Sequence, residues 1–93
     1  MKKVAILPSF ERSVRKLIPF ERKKIAQTLD EFNRFLVTGI PSCGFGFKKI
    51  GINKFEFRVD LKLRVVVKEE GDIYFLVLAG THDQICRYLR KNR

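Results

Sequence analysis

Residues 55–67 have the sequence FEFRVDLKLRVVV, in which apolar and polar residues alternate. This alternation predicts two neighbouring β-strands, because successive side chains of a strand point to opposite faces of a sheet. One face would carry the aromatic and aliphatic side chains and pack on a core. The other would carry Glu56 and Arg58, and Arg64 on an antiparallel neighbour can emerge beside them. The stretch therefore predicts a sheet with one apolar face and one charged face.

The sequence on either side predicts the remaining elements of an α+β fold. A short apolar run that ends at Pro8 predicts a first strand. Two apolar patterns at helical spacing predict a helix hairpin, with the first helix capped by Ser9 and the second beginning at Pro19. A glycine-rich loop over residues 38–47 follows. The predicted strands span residues 4–7, 47–50, 55–60, 62–68 and 73–79, the last of them central in the sheet.

The apolar positions of the two helices define the faces that they bury. These positions are Phe10, Val14, Leu17 and Ile18 in the first helix, and Ile25, Leu29, Phe32 and Leu36 in the second. A final short helix, capped by Thr81 or Asp83, leads into a basic tail that ends at Arg93. A chain of 93 residues has room for one modest core, so we expect a single domain over residues 1–93.

The composition is strongly basic. Lys and Arg number 20 against 10 Asp and Glu, which gives a formal net charge of +10. Such an excess attracts polyanions, so nucleic acid or an acidic protein is the expected partner. A solvated basic surface without a particular ligand is the alternative.

Cysteine usage and hydropathy exclude several classes of protein. Cys43 and Cys86 are far apart and are accompanied by a single histidine, so neither a zinc site nor a disulfide framework is indicated, and we expect no cofactor. No segment approaches the roughly 20 apolar residues needed to cross a bilayer, and the apolar run before Pro8 is too short for a signal peptide. We therefore expect a cytoplasmic protein in a reducing compartment.

Five polar side chains have the chemistry needed to cleave RNA without a metal. The reaction removes a proton from the 2′-hydroxyl, stabilises a dianionic phosphorane and protonates the departing 5′-oxygen. A carboxylate or imidazole can act as base, an imidazolium or phenol as acid, and arginines can bind the phosphate. The candidates are Glu56, Arg58, Arg64, His82 and Tyr88.

Each candidate also has an ordinary structural explanation. Glu56 and Arg58 can form a cross-strand ion pair with Arg64, which contributes little to stability at a surface. His82 can be a hydrogen-bonded turn residue, and Tyr88 can simply pack the tail. The joint occurrence of all five on a very basic chain is what favours the catalytic interpretation.

The order of these motifs resembles the RelE/ParE superfamily of bacterial and archaeal toxins. A strand, a helix hairpin and a glycine-rich loop are followed by Phe47-Lys48-Lys49-Ile50, Phe55-Glu56-Phe57-Arg58-Val59, Leu63-Arg64-Val65-Val66 and Gly80-Thr81-His82-Asp83. The resemblance covers about residues 2 to 90. It implies helices on one face of a twisted antiparallel sheet of about four strands, a short C-terminal helix, and a cognate antitoxin. For the RelE-like branch it also implies metal-independent cleavage of mRNA on the ribosome.

The resemblance also implies roles for individual residues. Arg58 matches a basic residue on the strand before the hairpin, and Arg64 matches the arginine that binds the scissile phosphate. His82 stands where members place an arginine or a histidine, and Tyr88 aligns with a tail tyrosine that stacks on a base or assists proton transfer. Glu56 stands where the namesake toxins have lysine, and other branches of the superfamily use a glutamate base.

Two alternatives to an RNase toxin stay open at this point. One is a ParE-like toxin that inhibits gyrase by binding, since one fold can host both activities. The other is a plain basic RNA-binding module. The expected partners are an acidic or amphipathic antitoxin segment that covers Arg58, Arg64 and the tail, together with mRNA and ribosomal RNA. The candidate phosphate contacts, for which simple solubility is the rival explanation, are Lys48, Lys49, Arg87, Arg90 and Lys91.

Overall fold

The computed structural model describes residues 2–41 and 44–91, so the predictions for Cys43 and Arg93 lie outside the described residues. The described part contains three helices and five strands, which confirms the α+β class. In chain order they are β1 (Lys3–Ile6), α1 (Pro8–Arg15), α2 (Pro19–Thr38), β2 (Lys48–Gly51), β3 (Lys54–Arg58), β4 (Leu63–Glu70), β5 (Ile73–Thr81) and α3 (His82–Lys91).

The strands form one mixed sheet in the order β1-β5-β4-β3-β2. β2 to β5 are joined by antiparallel pairings, whereas β1 pairs parallel to β5. The prediction of about four antiparallel strands is corrected to five, with a parallel edge strand. A parallel neighbour needs a long crossover, which the chain between β1 and β5 supplies. β5 is an interior strand, and β4 is the central one.

A helix capped by Ser9 would begin at residue 10, whereas α1 begins two residues earlier. Leu7 is its N-cap, with extended backbone, and Pro8 occupies the first turn. Ser9 does not cap this helix, because its hydroxyl donates a hydrogen bond to the Val77 carbonyl at 2.7 Å. The prediction that Ile18 shares the buried face was also wrong: α1 ends before Ile18, which is 60% exposed.

The second helix follows its predicted pattern. It begins at Pro19, and Ile25 and Phe32 are buried in the main core. Leu29 and Leu36 are partly buried and pack against that core. The 3.6-residue period therefore identified the buried face of α2 correctly.

An aromatic cluster fills the space between α2 and the sheet. Phe57 stacks on Phe32 with 4.9 Å between ring centroids and on Phe45 with 4.8 Å. Phe45 is only 1% exposed, although it belongs to the glycine-rich loop that the sequence pattern predicts only as a connection. Its carbonyl accepts a hydrogen bond from the Arg58 amide at 2.8 Å. The core thereby fixes the end of this loop beside β3.

An ion pair ties the turn after β3 to α2. Lys24 Nζ lies 3.0 Å from Asp60 Oδ2, and Asp60 Oδ1 accepts hydrogen bonds from the amides of Lys62 and Leu63. Burial raises the pKa of the Asp60 carboxyl, but these hydrogen bonds outweigh that effect and hold the pKa below its ordinary value.

The third helix packs on the sheet face opposite α2, whereas α1 is hydrogen-bonded to the backbone of β5. Its Ile85 forms a second buried cluster with Val66 and Val77. Glu56 is paired with Val66 in register, so its side chain lies on this same face. The predicted charged face of the sheet is therefore partly covered by a helix.

Candidate functional site

The sheet register brings the predicted strand residues together. Arg58 lies directly opposite Arg64, and Arg64 lies opposite Gly80 on β5. In the next row, Lys48 lies opposite Glu56. Directly opposed residues on antiparallel strands share a face, with Cβ atoms roughly 4.5–5.5 Å apart. Three strands therefore place one carboxylate and three cationic side chains in two adjacent rows.

Glu56 is the buried centre of this group. It is 4% exposed, and its Oε1 accepts a hydrogen bond from Arg64 at 3.0 Å and lies 3.3 Å from Lys48 Nζ. A buried carboxylate is tolerated only when it is paired. The position of Arg64 is thus coupled to Glu56, and Lys48 on the edge strand β2 forms a second ion pair with the same carboxylate.

Arg64 retains a donor that the described protein atoms do not use. Its Nε is buried and, within residues 2–41 and 44–91, has no hydrogen-bond partner. The side chain as a whole is 18% exposed, so part of the guanidinium reaches the surface. An unsatisfied buried donor is costly unless a ligand atom supplies an acceptor. The fork geometry of arginine matches phosphate oxygens.

Arg58 provides a second guanidinium in the same row. Its side chain is exposed, and it makes no ion pair with any described residue. Like charges directly opposite one another destabilise a sheet. Glu56 offsets this repulsion for Arg64 only, so the row carries an excess of positive charge. The Arg58–Arg64 row is therefore a candidate anion site.

His82 begins α3 at the end of β5 that lies beside this row. Thr81, the residue before it, pairs with Leu63 at the start of β4. Thr81 and Gln84 form a reciprocal capping box: the Gln84 side chain accepts from the Thr81 amide at 2.8 Å, and the Thr81 hydroxyl accepts from the Gln84 amide at 3.3 Å. The prediction that Thr81 or Asp83 caps this helix is resolved in favour of Thr81.

The imidazole of His82 is accessible from solvent. Its Nε2 lies 3.5 Å from Cys86 Sγ, one helical turn further on. The backbone of His82 lies two residues beyond Gly80, which is opposite Arg64. The structure therefore places His82 at the same end of the sheet as the two arginines.

Tyr88 lies elsewhere. It packs against the Val66 and Val77 cluster, and Lys54 Nζ lies 6.0 Å from the centroid of its ring. Lys54 is four residues from Arg58 along β3, which corresponds to roughly 13 Å. The structure does not bring Tyr88 into the Arg58–Arg64 row.

The predicted phosphate contacts are spread over the surface. Lys48 faces Glu56, whereas Lys49 is paired with Phe55 and so lies on the other face of the sheet. Arg87 and Lys91 line a cleft between α1 and α3, and Arg90 is exposed. Sequence reasoning missed that Lys48 contacts Glu56. The signal was a possible hairpin turn after Ile50, which would place the two residues opposite each other.

The described residues contain no group of three or more His, Cys, Asp or Glu side chains placed to hold a metal ion. None of the helices in the described part has the length and apolar character of a membrane span.

Solved structures share this architecture, although no family model and no curated protein matches the sequence. The RelB-RelE antitoxin–toxin complex from Methanococcus jannaschii superposes with a TM-score of 0.67 at 15% identity, covering 90% of this chain and 96% of that one. This chain has the RelE-like fold. The E. coli DinJ-YafQ toxin–antitoxin complex gives a TM-score of 0.67 at 11% identity, over 90% of this chain and 96% of that one. A metal-bound toxin from Helicobacter pylori gives 0.63 at 18% identity, over 91% and 99%.

Proposed function

We propose that the protein is the toxin of a toxin–antitoxin pair and that it cleaves mRNA at the ribosome through 2′-hydroxyl attack. The observation that carries this proposal is the Arg58–Arg64 row, where two arginines lie directly opposite one another beside buried Glu56 and the buried Arg64 Nε has no described partner. The RelE-like fold and the net charge of +10 support the proposal.

We propose a separate role in the reaction for each of these side chains. Arg64, held by Glu56, binds the scissile phosphate and stabilises the charge that develops on it. Arg58 binds the same phosphate from the neighbouring strand. The burial of Glu56 and its engagement by two cations suit a positioning role better than contact with a substrate hydroxyl. We therefore assign proton transfer to His82, which is accessible at the end of the row.

A cleavage assay on translating ribosomes tests this proposal. Purified protein is added and mRNA ends are mapped by primer extension. Arg64→Ala should reduce cleavage by about 10²- to 10³-fold, the effect of removing one donor to a developing oxyanion. Arg34→Ala, an exposed arginine on α2, is the matched control and should leave cleavage unchanged.

Two outcomes would overturn the proposal. Equal activity of Arg64→Ala and Arg34→Ala would show that the row is not the active site. Absence of cleavage by the wild-type chain, with inhibition of gyrase supercoiling instead, would establish the ParE-like alternative.

We further propose that a cognate antitoxin binds the protein through an amphipathic helix. Two clefts, of about 510 and 340 Å³, meet along β1 and α2 and share Ile6 and Leu29. Ile6 is 52% exposed and Val37 is 66% exposed, an unusual degree for large apolar side chains next to a groove. Two of the structural relatives were crystallised with antitoxins. An acidic flank of the same partner would neutralise Arg58 and Arg64.

Co-purification tests the antitoxin proposal. The wild-type chain, co-expressed with the small gene next to its own, should retain that gene's product through high-salt washing. Ile6→Asp should release the product, whereas Ile52→Asp, at a position 87% exposed and away from the groove, should retain it. Retention by both variants would contradict the assignment of the groove.

A further inference from the structure

A cleft between α1 and α3 contains cationic side chains that are not part of the Arg58–Arg64 row. The cleft has a volume of about 520 Å³. Arg12 and Lys16 contribute from α1 and its C-cap, and Arg87 and Lys91 contribute from α3. All four side chains belong to exposed residues, and no Asp or Glu is among the residues that line the cleft. The cleft is a basic groove distinct from the Arg58–Arg64 row.

The four cations of this basic groove have no anionic partner among the described residues. Lysines elsewhere on the molecule do, as Lys2, Lys24 and Lys68 show. Within the groove, residues 12 and 16 are spaced i,i+4, and so are residues 87 and 91. Like charges at this spacing are neighbours on a helix surface and repel each other. A ligand that carries several negative charges would relieve this repulsion.

The walls of the groove are fixed to the sheet. Ser9 bonds the Val77 carbonyl, and the Ser13 hydroxyl accepts a hydrogen bond from the Ala79 amide at 3.0 Å, so α1 is attached to β5 at two points. The capping box of Thr81 and Gln84 fixes the start of α3. Binding a ligand between rigid walls costs less ordering entropy than binding between mobile ones.

Helix α3 lies next to both the basic groove and the sheet face that carries the Arg58–Arg64 row. One flank of this helix covers the sheet face that carries Glu56 and Arg64, and Gln84 and Tyr88 line the groove. His82 begins the same helix, two residues after Gly80, which lies opposite Arg64. A strand of RNA whose scissile phosphate lies on the arginine row can therefore pass the start of α3 and enter the groove.

We propose that the basic groove binds the phosphate backbone of single-stranded RNA next to the cleaved position. This inference rests on the proposed function. Four exposed cations with no carboxylate among them suit a phosphate backbone, while Ile6 and Val37, large apolar side chains of the exposed kind that a protein helix would need, lie along β1 and α2.

The test measures RNA binding separately from cleavage. A fluorescent single-stranded RNA with 2′-O-methyl riboses, which cannot be cleaved by 2′-hydroxyl attack, is titrated with protein at several salt concentrations. The double variant Lys16→Ala/Arg87→Ala removes one cation from each wall. If both contact phosphate, the slope of log K against log salt should become shallower by about 1.4, because each contact to a single strand contributes about 0.7. Affinity at low salt should fall by about 10-fold or more.

The matched control is Lys23→Ala/Arg34→Ala, which makes the same charge change on the exposed face of α2. It should leave the salt slope within experimental error of wild type. Equal weakening in both double variants would overturn the proposal, because it would show a general effect of net charge. Unchanged RNA binding by the groove variant with loss of antitoxin retention would also overturn it and would assign the groove to an acidic protein.

Failure of this inference differs from failure of the proposed function. Arg64→Ala should cleave poorly but bind the modified RNA with the wild-type salt slope, apart from the one contact it removes. A groove variant that binds RNA and cleaves mRNA like wild type would refute RNA binding by the basic groove and leave the proposed nuclease activity untouched. If the wild-type protein binds RNA through the basic groove but does not cleave mRNA, only the proposed nuclease activity is refuted. Thermal unfolding should show the groove variant to be at least as stable as wild type, since repulsion is removed.

Discussion

Replacing Glu56 with glutamine tests the electrostatic design of the arginine row. The substitution keeps the shape of the side chain and an acceptor oxygen but removes the only negative charge among Glu56, Lys48, Arg58 and Arg64. Breaking a buried ion pair by neutralising one partner costs about 3–5 kcal/mol. Lys48 is 60% exposed and can turn to water, whereas Arg64 is 18% exposed and cannot do so freely. We therefore expect a loss at the lower end, about 3 kcal/mol.

Urea unfolding followed by circular dichroism measures this loss directly, since the chain has no tryptophan. A loss of about 3 kcal/mol corresponds to a fall in Tm of about 12–24 °C for a domain of this size. Lys48→Ala, at the exposed end of the same contact, should cost no more than about 1 kcal/mol. The effect of Glu56→Gln should also persist at high salt, because buried pairs are poorly screened.

A Glu56→Gln protein within about 0.5 kcal/mol of wild type would refute the reasoning. It would mean that Arg64 does not depend on the carboxylate, and the proposed positioning role of Glu56 would fall with it.

Three further predictions follow from the geometry. His82→Gln should reduce mRNA cleavage by about 10²- to 10⁴-fold without loss of stability. Tyr88→Phe, at a ring packed beside Lys54, should change cleavage less than threefold. A larger loss of cleavage in Tyr88→Phe than in His82→Gln would contradict our assignment of proton transfer to His82. The lowered pKa of Asp60 makes its contribution to stability complete above its unfolded pKa of about 3.9 and lost as pH falls through the lower folded value; urea unfolding from pH 6 to pH 2 should therefore show a steeper decline for wild type than for Asp60→Asn, and parallel curves would count against it. Gly80→Ala would place a Cβ 2.6 Å from the Gln84 side-chain oxygen, so the cap should be displaced at a cost of about 1 kcal/mol. The same unfolding assay on Gly80→Ala/Gln84→Ala checks this explanation. If Gly80→Ala lowers the free energy of unfolding as much in a Gln84→Ala background as in wild type, displacement of the cap is excluded as the cause.

Alternation and helical spacing predicted the parts of the fold that are locally encoded. The apolar faces of α2, β3 and β4 follow from the periods of 3.6 and 2, because each face packs against the core. Strand parity likewise placed Glu56, Arg58 and Arg64 on one face, and the register shows Arg58 opposite Arg64.

The features that local patterns did not predict depend on distant partners. A four-residue strand such as β1 carries no signal of its direction, which is set by the return of β5 beside it. Phe45 is buried because four other aromatic rings surround it, which the flanking glycines at positions 44 and 46 do not indicate. Glu56 is buried beside Arg64 and Lys48, which neighbouring strands bring to it. The separation of Tyr88 from Arg64 depends on where helix α3 docks.

The anchoring of Phe45 has a consequence for how this chain can change its length over evolution. Glycine-rich loops usually accept extra residues, and the exposed segment 39–41 offers such a position. From residue 45 onward, an added residue would pull the ring out of its stack or break the bond from its carbonyl to the Arg58 amide. Length variation among functional descendants should therefore stop short of Gly44, and a fusion or epitope tag inserted before that point should be tolerated while one inserted after it should not.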